Sequence, residues 1–200
     1  MFWDRVAGVY DIFVNVINSK THKGLRSVIA KQINHDDVVL ECACGTGFLS
    51  AVIAPRCKNL VATDFSANMI KKARKNCSDY SNITFKQGDI LSIDYDDESF
   101  DVVMAANVIH LLDEPIKAVQ ELNRVCKPGG KIIIPTYMNK ADDGKTTGLS
   151  KTIDMVGADF KREFTFDSYQ QFFSELGYTN VEYHMIDGRV PCAVAVIKKS

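Results

Sequence analysis

Short blocks of apolar residues alternate along the chain with segments whose apolar residues recur at helical spacing. Blocks of this length between turn signals are typical of strands that are buried on both faces. The alternation of strand and helix patterns indicates βαβ units, and hence an α/β fold with a parallel sheet. The predicted strands lie at residues 38–40, 60–62, 83–85, 100–106 and 131–135.

Three segments between these blocks predict helices. The first helix follows a glycine-containing turn and ends before Pro55. In the second segment, Ser66 can cap a helix over residues 67–75. The third helix starts near Pro115 and is expected to stop at the Pro-Gly-Gly sequence of residues 128–130. The apolar stripe predicted for the third helix consists of Ile116, Val119, Leu122 and Cys126.

The C-terminal part has a different pattern. Residues 167–176 predict a helix that Asp167 caps and Gly177 stops. Two strand patterns follow at residues 180–186 and 191–197, with only a turn between them. The sequence therefore predicts a mostly parallel sheet that ends in an antiparallel hairpin.

Two segments lie outside this alternation. Residues 1–36 have a helical apolar stripe, and residues 138–166 are polar and contain glycine. Ligands of open α/β sheets bind beyond the carboxyl ends of the strands, and either segment can cover that edge. Plain packing and a surface loop are the alternatives. We predict a single domain over 1–200, made of a helical cap (1–36), a ligand-binding core (37–137) and a variable segment with a closing helix and hairpin (138–200).

Composition and charge narrow the class of protein. A chain of 200 residues can bury a core without a disulfide or metal staple. The net charge of −1 shows no basic excess, so we expect no nucleic-acid partner. With no apolar stretch of membrane-span length and no signal-peptide layout, we expect a cytoplasmic location. The six cysteines form no CxxC pair, which predicts free, mostly buried thiols and no metal site.

The turn after the first strand is the strongest local signal. Residues 41–47 read Glu-Cys-Ala-Cys-Gly-Thr-Gly. Glycine permits positive φ and lets a ligand approach the backbone, and the following helix offers unpaired N–H groups. The negative charge of Glu41 suits an ammonium group on that ligand. Taken alone, the same turn also fits an ordinary loop between strand and helix.

Asp64 ends the second predicted strand, a little over twenty residues after Glu41. In a βαβ unit this position faces the ribose hydroxyls of a nucleoside, and a carboxylate can accept from both. A helix cap is the alternative role. The turn and the acid together favour a nucleoside ligand. An NAD-dependent oxidoreductase is the less favoured reading, because Ser50 replaces the third glycine of G-x-G-x-x-G and a pyrophosphate gains nothing from Glu41.

Five ordered motifs make the sequence resemble the class I S-adenosylmethionine-dependent methyltransferases. This resemblance implies a Rossmann-like three-layer sandwich with a seven-stranded sheet, S-adenosylmethionine as cofactor, and methyltransferase activity. Ala43 departs from the pattern, since the family usually has its first glycine there. The matching motifs are residues 38–47, 62–69, 87–90, 99–110 and 124–130.

The resemblance also implies roles for individual residues. Asp64 would hold the ribose, Phe65 and Met69 would flank the adenine, and Asp89 would reach the adenine amino group. The N-terminus resembles that of the quinone-biosynthesis C-methyltransferases, by which Tyr10 would reach the methionine end of the cofactor; packing in a helix core is the alternative. The predicted cofactor-binding residues are Tyr10, Glu41, Ala43, Cys44, Gly45, Gly47, Asp64, Phe65, Met69, Asp89, Ile90 and Asn107.

Transfer of a methyl group from a sulfonium depends mainly on alignment of the acceptor and exclusion of water. A general base is needed only where the acceptor must lose a proton. His110 and Tyr137 follow the fourth and fifth predicted strands and are the candidates, with packing or cofactor contact as the alternative. We expect a small-molecule acceptor, such as a quinone or lipid precursor. A non-catalytic cofactor-binding protein on the same fold is the other alternative.

Overall fold

The computed structural model of the chain describes residues 18–138 and 161–200. The predicted N-terminal stripe up to Ile17, including Tyr10, lies outside the described residues, as does most of the polar segment 138–166. The helices are α1 (Ser19–Gln32), α2 (Ser50–Ile53), α3 (Ala67–Asn76), α4 (Pro115–Val125) and α5 (Phe166–Glu175), with 3-10 turns at Ala54–Arg56 and Ile109–Leu111. The strands are β1 (Val38–Cys42), β2 (Asn59–Asp64), β3 (Ile83–Gln87), β4 (Phe100–Ala105), β5 (Cys126–Tyr137), β6 (Val181–Ile186) and β7 (Cys192–Lys198).

These strands form one seven-stranded sheet in the order β3-β2-β1-β4-β5-β7-β6. Strands β1 to β5 pair in parallel, whereas β7 runs antiparallel to both β5 and β6. The strand order reverses between β1 and β4, so the carboxyl ends of these two strands flank the crevice where α/β sheets bind ligands. The predicted parallel sheet with its antiparallel C-terminal hairpin is confirmed.

Alternating strand residues enter two separate apolar clusters, one on each face of the sheet. Val102 and Met104 pack in the cluster that contains α1, α2 and α3. Val103 and Ala105, which point the other way, pack with α4 and α5. Side chains of a strand alternate between its two faces, so a continuous apolar run such as β4 is buried on both faces of the sheet. The result is the three-layer sandwich.

The boundary between α4 and β5 differs from the sequence-based prediction. The helix ends at Val125, and Cys126 already belongs to the strand. The predicted Pro-Gly-Gly stop instead pairs with the end of β7, because the N–H of Gly129 donates to the carbonyl of Lys199. Ile116, predicted in the apolar stripe, is 47% exposed. The buried face of α4 is formed by Pro115, Ala118, Val119, Leu122 and Val125.

The cap of α5 is a second correction. Thr165, not Asp167, caps this helix: its Oγ1 accepts from the N–H of Ser168 at 3.2 Å, and the N–H of Thr165 donates to Ser168 Oγ at 3.0 Å. This reciprocal pair satisfies two N–H groups that a helix start leaves open. Gly177 does follow the helix with a φ of +85°, as predicted for its stop.

Helix α1 is the described part of the predicted N-terminal cap. The side chain of Asn18 donates to the carbonyl of Val190 at 3.0 Å and accepts from the N–H of the same residue at 3.1 Å. The buried hydroxyl of Thr21 donates to that carbonyl as well. This buried network fixes α1 against the turn between β6 and β7.

Three expectations from composition concern the described residues. All six cysteines lie within them as free, buried thiols, as predicted. No group of side chains in the described ranges has the arrangement of a metal site. None of the helices described is long and apolar enough to cross a membrane.

Candidate functional site

The loop after β1 takes an unusual backbone path at three positions. Ala43, Gly45 and Gly47 have φ values of +54°, +56° and +87°. A Cβ at Gly47 would stand 2.9 Å from the sulfur of Cys77 and 3.2 Å from the Cα of Ala73 on α3. Glycine is therefore required at Gly47 both by its φ and by the close approach of α3.

Ala43 occupies the position where glycine was expected and adopts the glycine-like conformation. Left-handed φ costs an L-residue with a Cβ roughly 1–2 kcal/mol. The rest of the fold compensates for this strain, and Ala43 lies on the walls of both cavities described below. Strain of this kind concentrates at functional sites.

Asp64, at the end of β2, is hydrogen-bonded directly to the loop after β1. One carboxylate oxygen accepts from the N–H of Gly45 at 2.8 Å, and the other accepts from the N–H of Ser66 at 2.9 Å. A carboxylate offers about four lone-pair sites, so it can accept from more than one donor at once. The tips of β1 and β2 therefore meet at a fixed acidic group.

A cavity of about 310 Å³ opens at this meeting point. Its volume falls in the range of small-molecule sites. Eight predicted residues line it: Ala43, Gly45, Asp64, Phe65, Met69, Asp89, Ile90 and Asn107. The sequence analysis did not single out the other lining residues, which are Gly88, Leu91, Ala106, Val108, Leu111 and Leu112.

One part of this cavity presents apolar side chains beside an acid. Phe65 is 53% exposed, whereas Met69 and Ile90 are buried in its wall. Asp89 accepts from the N–H of Leu91 at 2.9 Å through a single carboxylate oxygen. A flat, partly apolar ring with an amino group at its edge matches this arrangement.

A smaller cavity of about 40 Å³ adjoins the first and shares Ala43, Gly45, Ala106 and Asn107 with it. Glu41 and Cys44 lie on its wall. Glu41 is only 2% exposed and accepts a hydrogen bond from the hydroxyl of Ser50. Burial raises the pKa of Glu41 from 4.5 to about 8, so the carboxyl is mostly protonated at neutral pH.

Asn107 sits where the two cavities join. It has a φ of +52°, and its N–H donates to the carbonyl of Pro135 at 2.7 Å. Its buried side-chain oxygen has no hydrogen-bond partner among the described residues. Buried acceptors are normally satisfied, so this oxygen indicates a donor on a ligand.

The far wall of the smaller cavity carries a hydrogen-bonded pair. His22 of α1 and Tyr137 of β5 are both buried, and Nε2 of His22 lies 2.7 Å from the hydroxyl of Tyr137. The ring of Phe48 packs 5.2 Å from that of His22. The ring centroids of His110 and Tyr137 are 6.2 Å apart. Burial lowers the pKa of the His110 imidazole to about 3.

The structure thus brings the predicted residues together in two groups. Glu41 and Cys44 line the smaller cavity, and eight others line the larger one. Gly47 packs closely against α3. Tyr10 lies outside the described residues. His22 was missed, because its contact with Tyr137 joins residues 115 positions apart and no local motif surrounds it.

The sheet order and the flanking helices define a Rossmann-like fold. Comparisons with known proteins agree. The family model described as "Methyltransferase domain" matches residues 40–134. The YcgJ protein of Bacillus subtilis has a similar fold, with a TM-score of 0.72 at 17% identity over 90% of this chain and 100% of that one.

Two relatives extend the comparison. Demethylmenaquinone methyltransferase from Staphylococcus carnosus is 32% identical over 137 residues, which are 66% of this chain and 56% of that protein. Ubiquinone/menaquinone biosynthesis C-methyltransferase UbiE from Bdellovibrio bacteriovorus is 34% identical over 137 residues, 66% of this chain and 58% of that protein. The chain therefore spans a little over half the length of these relatives.

Residues 40–134 match the methyltransferase domain family, and the chain is similar to these S-adenosylmethionine-dependent methyltransferases, as its motifs indicated. S-adenosylmethionine is the cofactor that this family implies. The family model and the two relatives named above are methyltransferases, which favours this class over the alternative of an NAD-dependent oxidoreductase.

Proposed function

We propose that this chain transfers a methyl group from S-adenosylmethionine to a small apolar acceptor of the quinone-precursor type. The observation that carries the proposal is the contact between Asp64 and the N–H of Gly45 at the mouth of the larger cavity. This hydrogen bond holds the Asp64 carboxylate, which can accept from hydroxyl groups, in a fixed position beside the loop after β1.

The larger cavity suits the nucleoside half of the cofactor. The carboxylate of Asp64, which lines this cavity, would accept from the two ribose hydroxyls. Phe65 and Met69 would flank the adenine, beside Ile90, while the free oxygen of Asp89 would accept from its amino group. Each of these assignments uses a group that already faces the cavity.

The smaller cavity suits the amino-acid half. Glu41 would ionise on binding and face the ammonium group. The unsatisfied side-chain oxygen of Asn107 would accept a hydrogen bond from the same ammonium group. Cys44 and Gly45 present the loop backbone to the same region. When bound, the cofactor supplies a methyl group that positive sulfur has already activated. The residues of the chain then need only hold both partners in line and exclude water.

The names of the relatives support an apolar acceptor. The relatives from Staphylococcus and Bdellovibrio are named for demethylmenaquinone and for ubiquinone and menaquinone biosynthesis. A reduced naphthoquinone that lacks its ring methyl group is the corresponding acceptor for this chain.

The test is a turnover assay with S-adenosylmethionine and a short-chain demethylnaphthoquinol, followed by mass spectrometry. We expect one added methyl group on the quinol and an equal amount of S-adenosylhomocysteine. A matched assay with the Asp64→Asn variant should lose product at low cofactor concentration and regain part of it at saturation. Cofactor binding without methylation of the quinol would contradict the acceptor class. The same result with every acceptor class tried would favour a non-catalytic cofactor-binding protein.

A further inference from the structure

The hydrogen-bonded pair of His22 and Tyr137 has features that simple packing does not require. The two side chains are buried at 4% and 7% exposure, and both face the smaller cavity beside Ala43 and Asn107. A phenylalanine in place of Tyr137 would fill the same volume without placing a hydroxyl in the wall. The hydroxyl of Tyr137 therefore suggests a chemical function in the cavity in addition to packing.

We propose that Tyr137 and His22 form a proton relay that removes the hydroxyl proton of the acceptor during methyl transfer. This inference rests on the proposed function, because it concerns an acceptor bound beside the activated methyl group. Tyr137 is the catalytic residue in the relay, since it lines the cavity and its hydroxyl contacts His22. His22 is a positioning residue that acts through Tyr137.

The proton and electron balance of the step is closed. The acceptor hydroxyl gives its proton to the oxygen of Tyr137, while the tyrosine proton passes over the 2.7 Å contact to Nε2 of His22. Because the methyl group is added to a ring carbon, the pair left on the acceptor oxygen forms a carbonyl while a ring π pair forms the new bond to the methyl carbon. That ring carbon then loses its hydrogen as a proton and the carbonyl oxygen gains one, which restores the quinol. The pair of the broken carbon–sulfur bond stays on sulfur, which becomes a neutral thioether. The imidazolium of His22 later returns its proton to solvent.

The position of the pair fits this step. The smaller cavity shares four residues with the larger one, so the pair faces the region in which the amino-acid half of the cofactor and its methyl group would lie. Its two members come from α1 and β5, and both line the smaller cavity. Phe48 packs against the ring of His22 and restricts its orientation.

Other titratable groups near the pair are less suited to the task. Glu41, near the end of β1, accepts a hydrogen bond from Ser50 and is already assigned to the ammonium group of the cofactor. Cys44 is a buried thiol whose pKa burial raises well above its ordinary value. His110 is not among the residues that line either cavity, so it is not placed to take a proton from the acceptor.

The relay makes predictions for His22→Gln and Tyr137→Phe, which keep most of the packing volume. A positioned base contributes about 10²–10⁴-fold to a rate, so we expect kcat to fall by that factor in both variants. The KM for the acceptor and the cofactor affinity should change little. The acidic limb of the kcat–pH profile should disappear, and the deficit should shrink as acceptors with more acidic hydroxyls are used. A His35→Gln variant, in the exposed turn before β1, is the matched control and should behave like the wild type.

A second measurement does not need turnover. 1-Naphthol changes its absorption when it ionises, and it can be bound to the full chain with S-adenosylhomocysteine present. We expect the naphtholate band at pH 7.5 with the wild-type chain and the neutral naphthol band with His22→Gln and Tyr137→Phe. Equal naphtholate fractions in wild type and variants, or equal kcat values, would overturn the relay. Failure of the wild-type chain to methylate any quinol would instead contradict the proposed function.

Discussion

The two ends of the crevice are built in different ways. At the end that we propose for the nucleoside, here called the nucleoside end, the loop after β1 and the tip of β2 meet through backbone N–H groups and one carboxylate, within residues 43–66. At the other end, the wall depends on a side-chain contact between His22 and Tyr137, which are 115 positions apart. The first end is encoded by a local motif, and the second end exists only after the sheet has assembled.

The two ends are therefore suited to different tasks: binding of the cofactor at the first end and recognition of the acceptor at the second. A loop made of backbone groups and glycine recognises the part of the ligand that is common to a whole family. Side chains brought together by topology are free to vary with the acceptor. We therefore expect substitutions at the nucleoside end to change folding and cofactor affinity, and those at the far end to change kcat.

The largest effect on the nucleoside end is expected from Gly47→Ala. The added Cβ would meet Cys77 and the backbone of Ala73, and alanine disfavours a φ of +87°. We expect a loss of about 2–4 kcal/mol in the free energy of unfolding, measured by urea titration. Gly177→Ala is the matched control, because Gly177 has a φ of +85° but open space around its Cα. Equal losses in the two variants would contradict the packing role of Gly47.

The next largest effect is expected from Asp64→Asn. The amide keeps one acceptor for the loop but loses the charge that would bind the ribose hydroxyls. Cofactor affinity should fall by about 1–3 kcal/mol, measured by calorimetric titration with S-adenosylhomocysteine. Asp79→Asn, in the exposed turn after α3, should leave the affinity unchanged. An unchanged affinity in Asp64→Asn would remove this residue from the nucleoside site.

The smallest effect concerns Glu41, which lies between the two ends. With a pKa of about 8, its carboxyl must lose a proton before it can face a cation, which costs about 1.4 kcal/mol per pH unit below that value. The affinity of the wild type for S-adenosylmethionine, divided by that of Glu41→Gln, should therefore rise between pH 7 and pH 8.5. Taking this ratio cancels the titration of the ligand itself, and a flat ratio would separate Glu41 from the ammonium group.

Glu41 also gives a stability readout in the absence of ligand. Folding raises its pKa from 4.5 to about 8, so the folded state holds a proton that the unfolded state has released in this window. The wild-type chain should lose stability as the pH rises through that window, whereas Glu41→Gln should not show this loss. Thermal melting of both chains at pH 5 and pH 8 measures the difference.

The parts of the fold that follow periodicity were predictable from the sequence. Each predicted strand is present, because runs such as β4 are apolar on both faces and leave no other arrangement. Boundaries set by tertiary pairing were not predictable. Gly129 and Gly130 predict a helix stop, but in the structure both form backbone hydrogen bonds with Lys199, which is distant in the sequence. Ile116 likewise fits the helical period but lies on the exposed side of α4.

The same division applies to the site. Motif order led to Asp64, the glycine loop and the residues around Phe65, since these lie within a few positions of a strand end. His22 has no motif and lies in a helix whose sequence resembles any amphipathic segment. Its relevance depends on α1 crossing the end of β5, which only the assembled sheet determines. Interactions between distant residues are therefore the part of the site that sequence patterns did not reach.

The central claim is that Asp64 and the loop at Gly45 jointly hold the nucleoside of S-adenosylmethionine. The most direct measurement is a crystal structure of the chain with S-adenosylhomocysteine. We predict both ribose hydroxyl oxygens at about 2.5–3.0 Å from the Asp64 carboxylate, with the adenine beside Phe65. A ligand bound elsewhere, or a ribose that does not touch Asp64, would contradict the account.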